Sequence, residues 1–222
     1  MNSRRFVYLL IAAAPLFRPM AEAQSFSLDS ADGLTLVGGI KASTEQFKGR
    51  KALLATSGND NQAGFAIVNG TSFQDGTIEI ELAGQPGPGA DSAARGFVGV
   101  AFRAAPDGKK LELFYLRPTN GRADDQERRN HSAQYDSAPD YPWFRLRKET
   151  PGKYESYVDL VPGEWTKVKI TVSGDKARLY VHGSDQPTLV VNDLKLGVSK
   201  GAIALFAGPG TVAHFSNLKV TR

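Results

Sequence analysis

Apolar residues recur at every second position through most of the chain. In residues 76–84 (GTIEIELAG), Ile78, Ile80 and Leu82 fall on one side and Thr77, Glu79 and Glu81 on the other. Residues 95–104 set Val98, Val100 and Phe102 against Phe97, Ala101 and Arg103. Residues 110–118 set Leu111, Leu113 and Tyr115 against Glu112, Phe114 and Leu116. The same alternation runs through Val168, Ile170 and Val172, and again through Ala177, Leu179 and Val181. Successive side chains of a strand point to opposite faces, so a period of two predicts half-buried antiparallel strands. Between the runs stand Asp75-Gly76, Asp107-Gly108, Pro151-Gly152 and Pro162-Gly163, and Ser173-Gly174-Asp175-Lys176 predicts a tight hairpin. Short strands at regular spacing predict an all-β fold, an antiparallel sandwich or barrel.

Two stretches break this pattern. Residues 83–96 are rich in Gly, Pro and Ala and read as a loop. Residues 118–150 are polar, then highly charged, then aromatic, and no helical periodicity stands out in them. A connection of that length inside a compact domain is functional or disordered, and its aromatic half argues against disorder.

The N-terminus is read as a leader. Arg4 and Arg5 precede the apolar run 6–17, and Ala21-Glu22-Ala23 supplies the small-x-small pattern of a cleavage site. The run is shorter than the ~20 residues a membrane span needs, so residues 1–23 are expected to be a signal peptide, 24–222 one exported domain, periplasmic or extracellular. After that cut no membrane span is expected. Losing Arg4, Arg5, Arg18 and Glu22 lowers the formal charge from +4 to +2, which gives nucleic acid no support as a partner. The absence of cysteine excludes a disulfide framework, a thiolate nucleophile and a Cys-based zinc site.

The succession GFVGVAFR, FYLRP, QY, YPW, KYE, PGEWTKVKI, ARLYV and GAIALFAGPGTVAHFSNLKV resembles the concanavalin A-like lectin/glucanase superfamily. It is most similar to the bacterial exported branch of 3-keto-disaccharide hydrolase-type and laminin-G-like jelly-roll domains. The resemblance covers about residues 26–222 and implies two antiparallel sheets packed as a jelly roll, with carbohydrate held on the concave face or its loops. Those motifs carry fold more than activity. The Gly-Trp opening usual in the keto-disaccharide branch is missing, and Glu79 and Glu81 lack the further acids of a Glu-x-Asp-x-x-Glu glucanase strand.

Candidate chemistry gathers around the aromatic half of the irregular stretch. Tyr and Trp offer an apolar face to the C–H surface of a sugar and a polar edge to its hydroxyls, and Arg adds a rigid donor fork. Tyr115, Arg117, Gln134, Tyr135, Tyr141, Trp143 and Arg145 are the candidate ligand-binding residues. Strand alternation across 143–145 would put Trp143 and Arg145 on one face and turn Phe144 inward. Whether Trp143 is a platform for a ligand or a plug at the end of the core is left open by the sequence.

Glycoside hydrolysis needs two carboxyl groups roughly 5–9.5 Å apart. Glu79 and Glu81 satisfy that spacing at about 7 Å, but alternation alone also makes them an outward polar face. Glu112 and Glu155 form a second candidate pair, and His131 is a candidate acid or base because imidazole titrates near neutrality. His182 and His214 are isolated and read as turn and strand residues. No His-Glu-x-x-His zinc motif, G-x-S-x-G elbow or phosphate loop is present. No cofactor is expected; Ca²⁺ is the one candidate, through Asp124, Asp125 and Asn130, although their spacing fits no standard calcium loop and a solvated charge run explains them as well.

Three functions remain: an exported carbohydrate-binding domain that recognises a glycan through the aromatic–arginine loop, a glycoside hydrolase of the 3-keto-disaccharide type, and a structural envelope domain without a small ligand. The first is taken as the working expectation, with carbohydrate as partner.

Overall fold

The computed structural model describes residues 23–57 and 64–222. All of the expected signal segment except Ala23 lies outside these residues. In chain order the strands are β1 (Ala23–Phe26), β2 (Leu34–Val37), β3 (Lys41–Phe47), β4 (Arg50–Thr56), β5 (Gly64–Phe73), β6 (Gly76–Pro86), β7 (Val98–Ala104) and β8 (Leu111–Leu116). They continue as β9 (Ala133–Ala138), β10 (Glu155–Ser156), β11 (Thr166–Ser173), β12 (Lys176–Val181), β13 (Leu189–Val191), β14 (Gly201–Ala207) and β15 (Thr211–Thr221). A 3-10 turn (Pro118–Asn120) and two short helices, α1 (Gln126–Asn130) and α2 (Trp143–Glu149), interrupt them.

All pairings are antiparallel and make two sheets. The first runs β13-β12-β11-β6-β15-β4-β3, with β1 also paired to β15. The second runs β10-β9-β8-β7-β14-β5-β2. The alternating positions read from the sequence fill the space between them: Ile78, Ile80 and Leu82 of β6 meet Val98, Val100 and Phe102 of β7 in one apolar core. Burying such faces is the main stabilisation of a cysteine-free sandwich. The hairpin expected at 173–176 joins β11 to β12, with Ser173 opposite Lys176 and Gly174 at φ +60°, the left-handed region that glycine enters freely.

Arg103 clips the two sheets together at one end. Its guanidinium donates to the carbonyls of Gln74 at 2.9 Å, in the connection from β5 to β6, and Gly174 at 2.7 Å, in the β11–β12 hairpin of the first sheet. The side chain is fully sealed, so its charge is matched by carbonyls and Asp75 rather than by water.

Two sequence expectations are corrected here. The loop expected from residue 83 starts later, because β6 continues to Pro86 alongside β15. The stretch 118–150 is not one long connection but a 3-10 turn, α1, β9 and α2 in succession. Each helix is only one or two turns long, too short to leave a readable period in the sequence.

Candidate functional site

The outer face of the second sheet floors a groove of about 1060 Å³. Strand register assigns its rows. One row crosses from Gln134 through Tyr115, Gly99 and Phe206 to Phe65. The next crosses from Asp136 through Leu113, Ala101 and Ala204 to Ile67. β7 contributes only small residues to these rows, Gly99 and Ala101, between Tyr115 and Leu113 of β8 on one side and Phe206 of β14 on the other, and this contrast shapes the trough. Gly99 has no room for a side chain, since an added Cβ would sit 2.2 Å from the Phe114 carbonyl oxygen. The floor is a second apolar cluster, separate from the inter-sheet core.

Trp143 stands on the groove wall, 40% exposed. It opens α2, which Leu146 pins to the core at 2% exposure. Residues four apart share a helix face, so Arg147 comes to lie 4.7 Å from the Trp143 ring centroid. Arg117 approaches the same ring at 5.6 Å and the Tyr115 ring at 5.0 Å. Neither arginine is loose. Arg117 donates to Gln134 Oε1 at 3.0 Å, to the His131 carbonyl at 3.0 Å and to Tyr115 Oη at 2.9 Å. Arg147 grips Glu155 with two bonds of 2.8 and 3.1 Å. Two anchored cations thus hold one exposed indole.

Asp136 carries the one carboxyl group among the described strand residues that line the groove. Its Oδ1 is sealed from solvent and has no hydrogen-bond partner. Burial pushes its pKa up to about 8, against the pull of Arg117, the Trp143 amide and Arg147. At neutral pH the group is therefore a protonated acid, able to donate a hydrogen bond or a proton.

The candidate residues named from the sequence separate into four sets. Tyr115 and Trp143 line the groove. Arg117 and Gln134 lie directly behind them, almost fully buried and bonded to each other, so they position rather than touch. Glu155 and His131 belong to the same backing layer, with His131 packed on Glu155. Burial, then Arg147 and Arg117, lower the His131 pKa and keep its ring neutral at neutral pH.

Tyr135 and Glu112 are corrections. Both are fully buried on the opposite side of the sheet, between the two layers. Tyr135 donates to Glu112 Oε2 at 2.6 Å and accepts from the Lys195 amide at 2.9 Å. The Leu196 amide donates to Glu112 Oε1 at 2.8 Å. The pair ties β8 and β9 to the connection after β13 and has no path to the groove. Burial raises the Glu112 pKa. Strand alternation puts Tyr135 there, because its neighbours Gln134 and Asp136 take the groove side.

Tyr141 and Arg145 lie beside the groove without lining it. Tyr141 packs on the core, and Arg145 covers its ring at 4.5 Å while bonding Glu149 and the Asp140 carbonyl. Phe144, expected to turn inward, is 61% exposed. The alternation used for 143–145 does not hold in a helix, where Arg147, not Arg145, is the partner of Trp143.

Glu79 and Glu81 face outward on the first sheet, with Glu81 held by Arg50 and Asn217. Asp125 caps α1 by accepting from the Arg128 amide at 2.8 Å. Among the described residues no group of three or more His, Cys, Asp or Glu side chains is arranged to hold a metal ion. No described helix is long and apolar enough to cross a membrane.

Asp136, Phe65 and Phe206 were missed from the sequence. Asp136 carried a usable signal: it is two residues from Gln134 in a stretch that alternates once β9 is recognised as a strand.

Residues 30–221 match a family described as the 3-keto-alpha-glucoside-1,2-lyase-like domain. No curated protein matches the chain. Among solved structures, the chain is similar to carbohydrate binding module CBM66 from Bacillus subtilis, with 16% identity and a TM-score of 0.55 over 83% of this chain and 96% of that one. A Bacillus subtilis protein with a galectin-like fold gives 14% identity and a TM-score of 0.57 over 90% and 97%. Domain 4 of AbnA, a GH43 extracellular arabinanase from Geobacillus stearothermophilus solved with arabinotriose, gives 14% and 0.52 over 91% and 93%. Identities this low speak for a shared fold, the lectin-like jelly roll expected from the sequence.

Proposed function

Because the chain belongs to the 3-keto-alpha-glucoside-1,2-lyase-like family, we propose that it is an exported carbohydrate-binding jelly-roll domain whose glycan lies in the groove on the second sheet. The observation that carries this is the exposed indole of Trp143 held between Arg117 and Arg147. A ring so fixed loses little freedom when a sugar stacks on it. Carbohydrate-binding and arabinotriose-bound relatives of the same fold support the assignment. A glycan-array screen followed by calorimetric titration of wild type and Trp143→Ala tests it. Retention of glycans by wild type and at least tenfold weaker binding by the variant are expected; equal binding by both would overturn it.

A second activity, cleavage of a keto-glycoside, is favoured by Asp136. In elimination across C1–C2 of a 3-keto-glucoside, water takes the C2 proton that the C3 ketone acidifies, the C1=C2 bond forms as the C1–O bond breaks, and the departing oxygen needs a proton. A protonated carboxyl on the groove wall is a suitable donor. Of the acids named from the sequence, Glu112 lacks access and Glu155 is committed to Arg147. Release of a reducing product from 3-keto-disaccharides by wild type, lost in Asp136→Asn, is the expected result.

A further inference from the structure

We propose that the groove takes a glycoside with a flat apolar aglycone, its sugar against Trp143 and Asp136 and its aglycone laid across the floor toward Phe206 and Phe65. This rests on the groove being a carbohydrate site and names the kind of carbohydrate it selects.

The strand floor of the groove is polar at the Asp136 end and apolar over the rest, while Asp91, Asp107 and Lys109 line it from the bordering loops. Asp136 belongs to β9 and Phe65 to β5, four strand positions apart in the sheet. At about 4.8 Å per strand the two ends stand on the order of 19 Å apart, farther than one pyranose ring reaches. Beyond Asp136 its row continues through Leu113, Ala101, Ala204 and Ile67, with no side chain that donates or accepts a hydrogen bond. An oligosaccharide lying there would strip water from the hydroxyls that face the floor and find no replacement on it, which is unfavourable for every buried group. A flat apolar ring system on Leu113 and Phe206 meets no such cost and gains from leaving water. The wall carboxyl, neutral through burial, leaves that end fit for an uncharged sugar oxygen. A large pocket whose strand floor is apolar except at one end is suited to an amphiphilic ligand.

The test is calorimetric titration of the full chain with methyl, phenyl and 2-naphthyl α-glucosides and their 3-keto forms, with 2-naphthol and a maltooligosaccharide alongside. Affinity is expected to rise at least tenfold from methyl to naphthyl, with a more negative heat-capacity change. The Leu113→Thr variant should lose most of that gain; a series in wild type alone decides the matter if the variant does not fold. Affinities equal within twofold along the series, or a maltooligosaccharide that binds more tightly than the aryl glucosides, would overturn the aglycone proposal and leave the carbohydrate site standing. Free 2-naphthol binding as tightly as its glucoside, or no binding by any sugar, would overturn both.

Discussion

Arg117 donates a 2.9 Å hydrogen bond to the phenolic oxygen of Tyr115 while its guanidinium faces the ring of Trp143. One buried cation therefore sets an aromatic group of the groove floor and one of its wall. Arg117→Lys keeps the charge but loses the fork that reaches Gln134, the His131 carbonyl and Tyr115 together. Glycan affinity is expected to fall about tenfold, the equivalent of ~1.4 kcal/mol, measured by titration calorimetry, with the far-ultraviolet dichroism of a β-sandwich retained.

Glu112 and Tyr135 should matter to stability and not to binding. Removing one partner of a buried charged hydrogen bond costs ~1.5–3 kcal/mol. Glu112→Gln and Tyr135→Phe are each expected to lower the urea midpoint by that equivalent, and glycan affinity at a temperature where the variants are folded should stay within twofold of wild type.

Asp136 predicts a pH effect of definite sign. Its folded pKa of about 8 stands above the ordinary 3.8, so the stability its proton contributes is whole below that ordinary value and is lost as pH rises through about 8. The stability of wild type relative to Asp136→Asn should therefore decline from acid toward pH 8. If the carboxyl donates to the ligand, glycan affinity should also weaken as pH rises past about 8 and stay flat in the variant.

Asp193 predicts the opposite slope. Burial pushes its pKa up, but bonds from Lys153, Tyr154 and Lys195 outweigh this and hold it at about 2. Its contribution is present above the ordinary 3.8 and lost as pH falls toward about 2. Asp193→Asn should be less stable than wild type at neutral pH, and the difference should vanish in strong acid, as urea unfolding at a series of pH values will record.

The faces of the strands were legible because a period of two survives any detail of packing. Leu111, Leu113 and Tyr115 were assigned to one side of a strand and Glu112, Phe114 and Leu116 to the other, and these are the groove and core sides of β8. That a strand apolar on both faces has its second face in a groove is not written in the strand itself. It depends on register, which brings Gly99, Ala101 and Ala204 alongside from distant parts of the chain. The aromatic stretch supplies Trp143 to the groove, and its other residues depart from the sequence reading for two local reasons. β9 mixes Gln134, Asp136 and Tyr135 and so lacks a clean apolar face, and α2 is too short to show that Trp143 pairs with Arg147. The Glu112–Tyr135 bond joins residues 23 apart, and only the pairing of β8 with β9 reveals that both point between the sheets.

The central claim, that a sugar stacks on Trp143 in the groove, is tested most directly by its fluorescence. Trp165, the other tryptophan, packs against Phe47 and His214 on the first sheet, so Trp165→Phe leaves Trp143 as the sole indole of the chain. Titration of that variant with a glycan that binds wild type should shift the emission saturably, with the calorimetric affinity, and protect the ring from acrylamide quenching. A glycan that binds with undiminished affinity and leaves both emission and quenching unchanged would contradict the account.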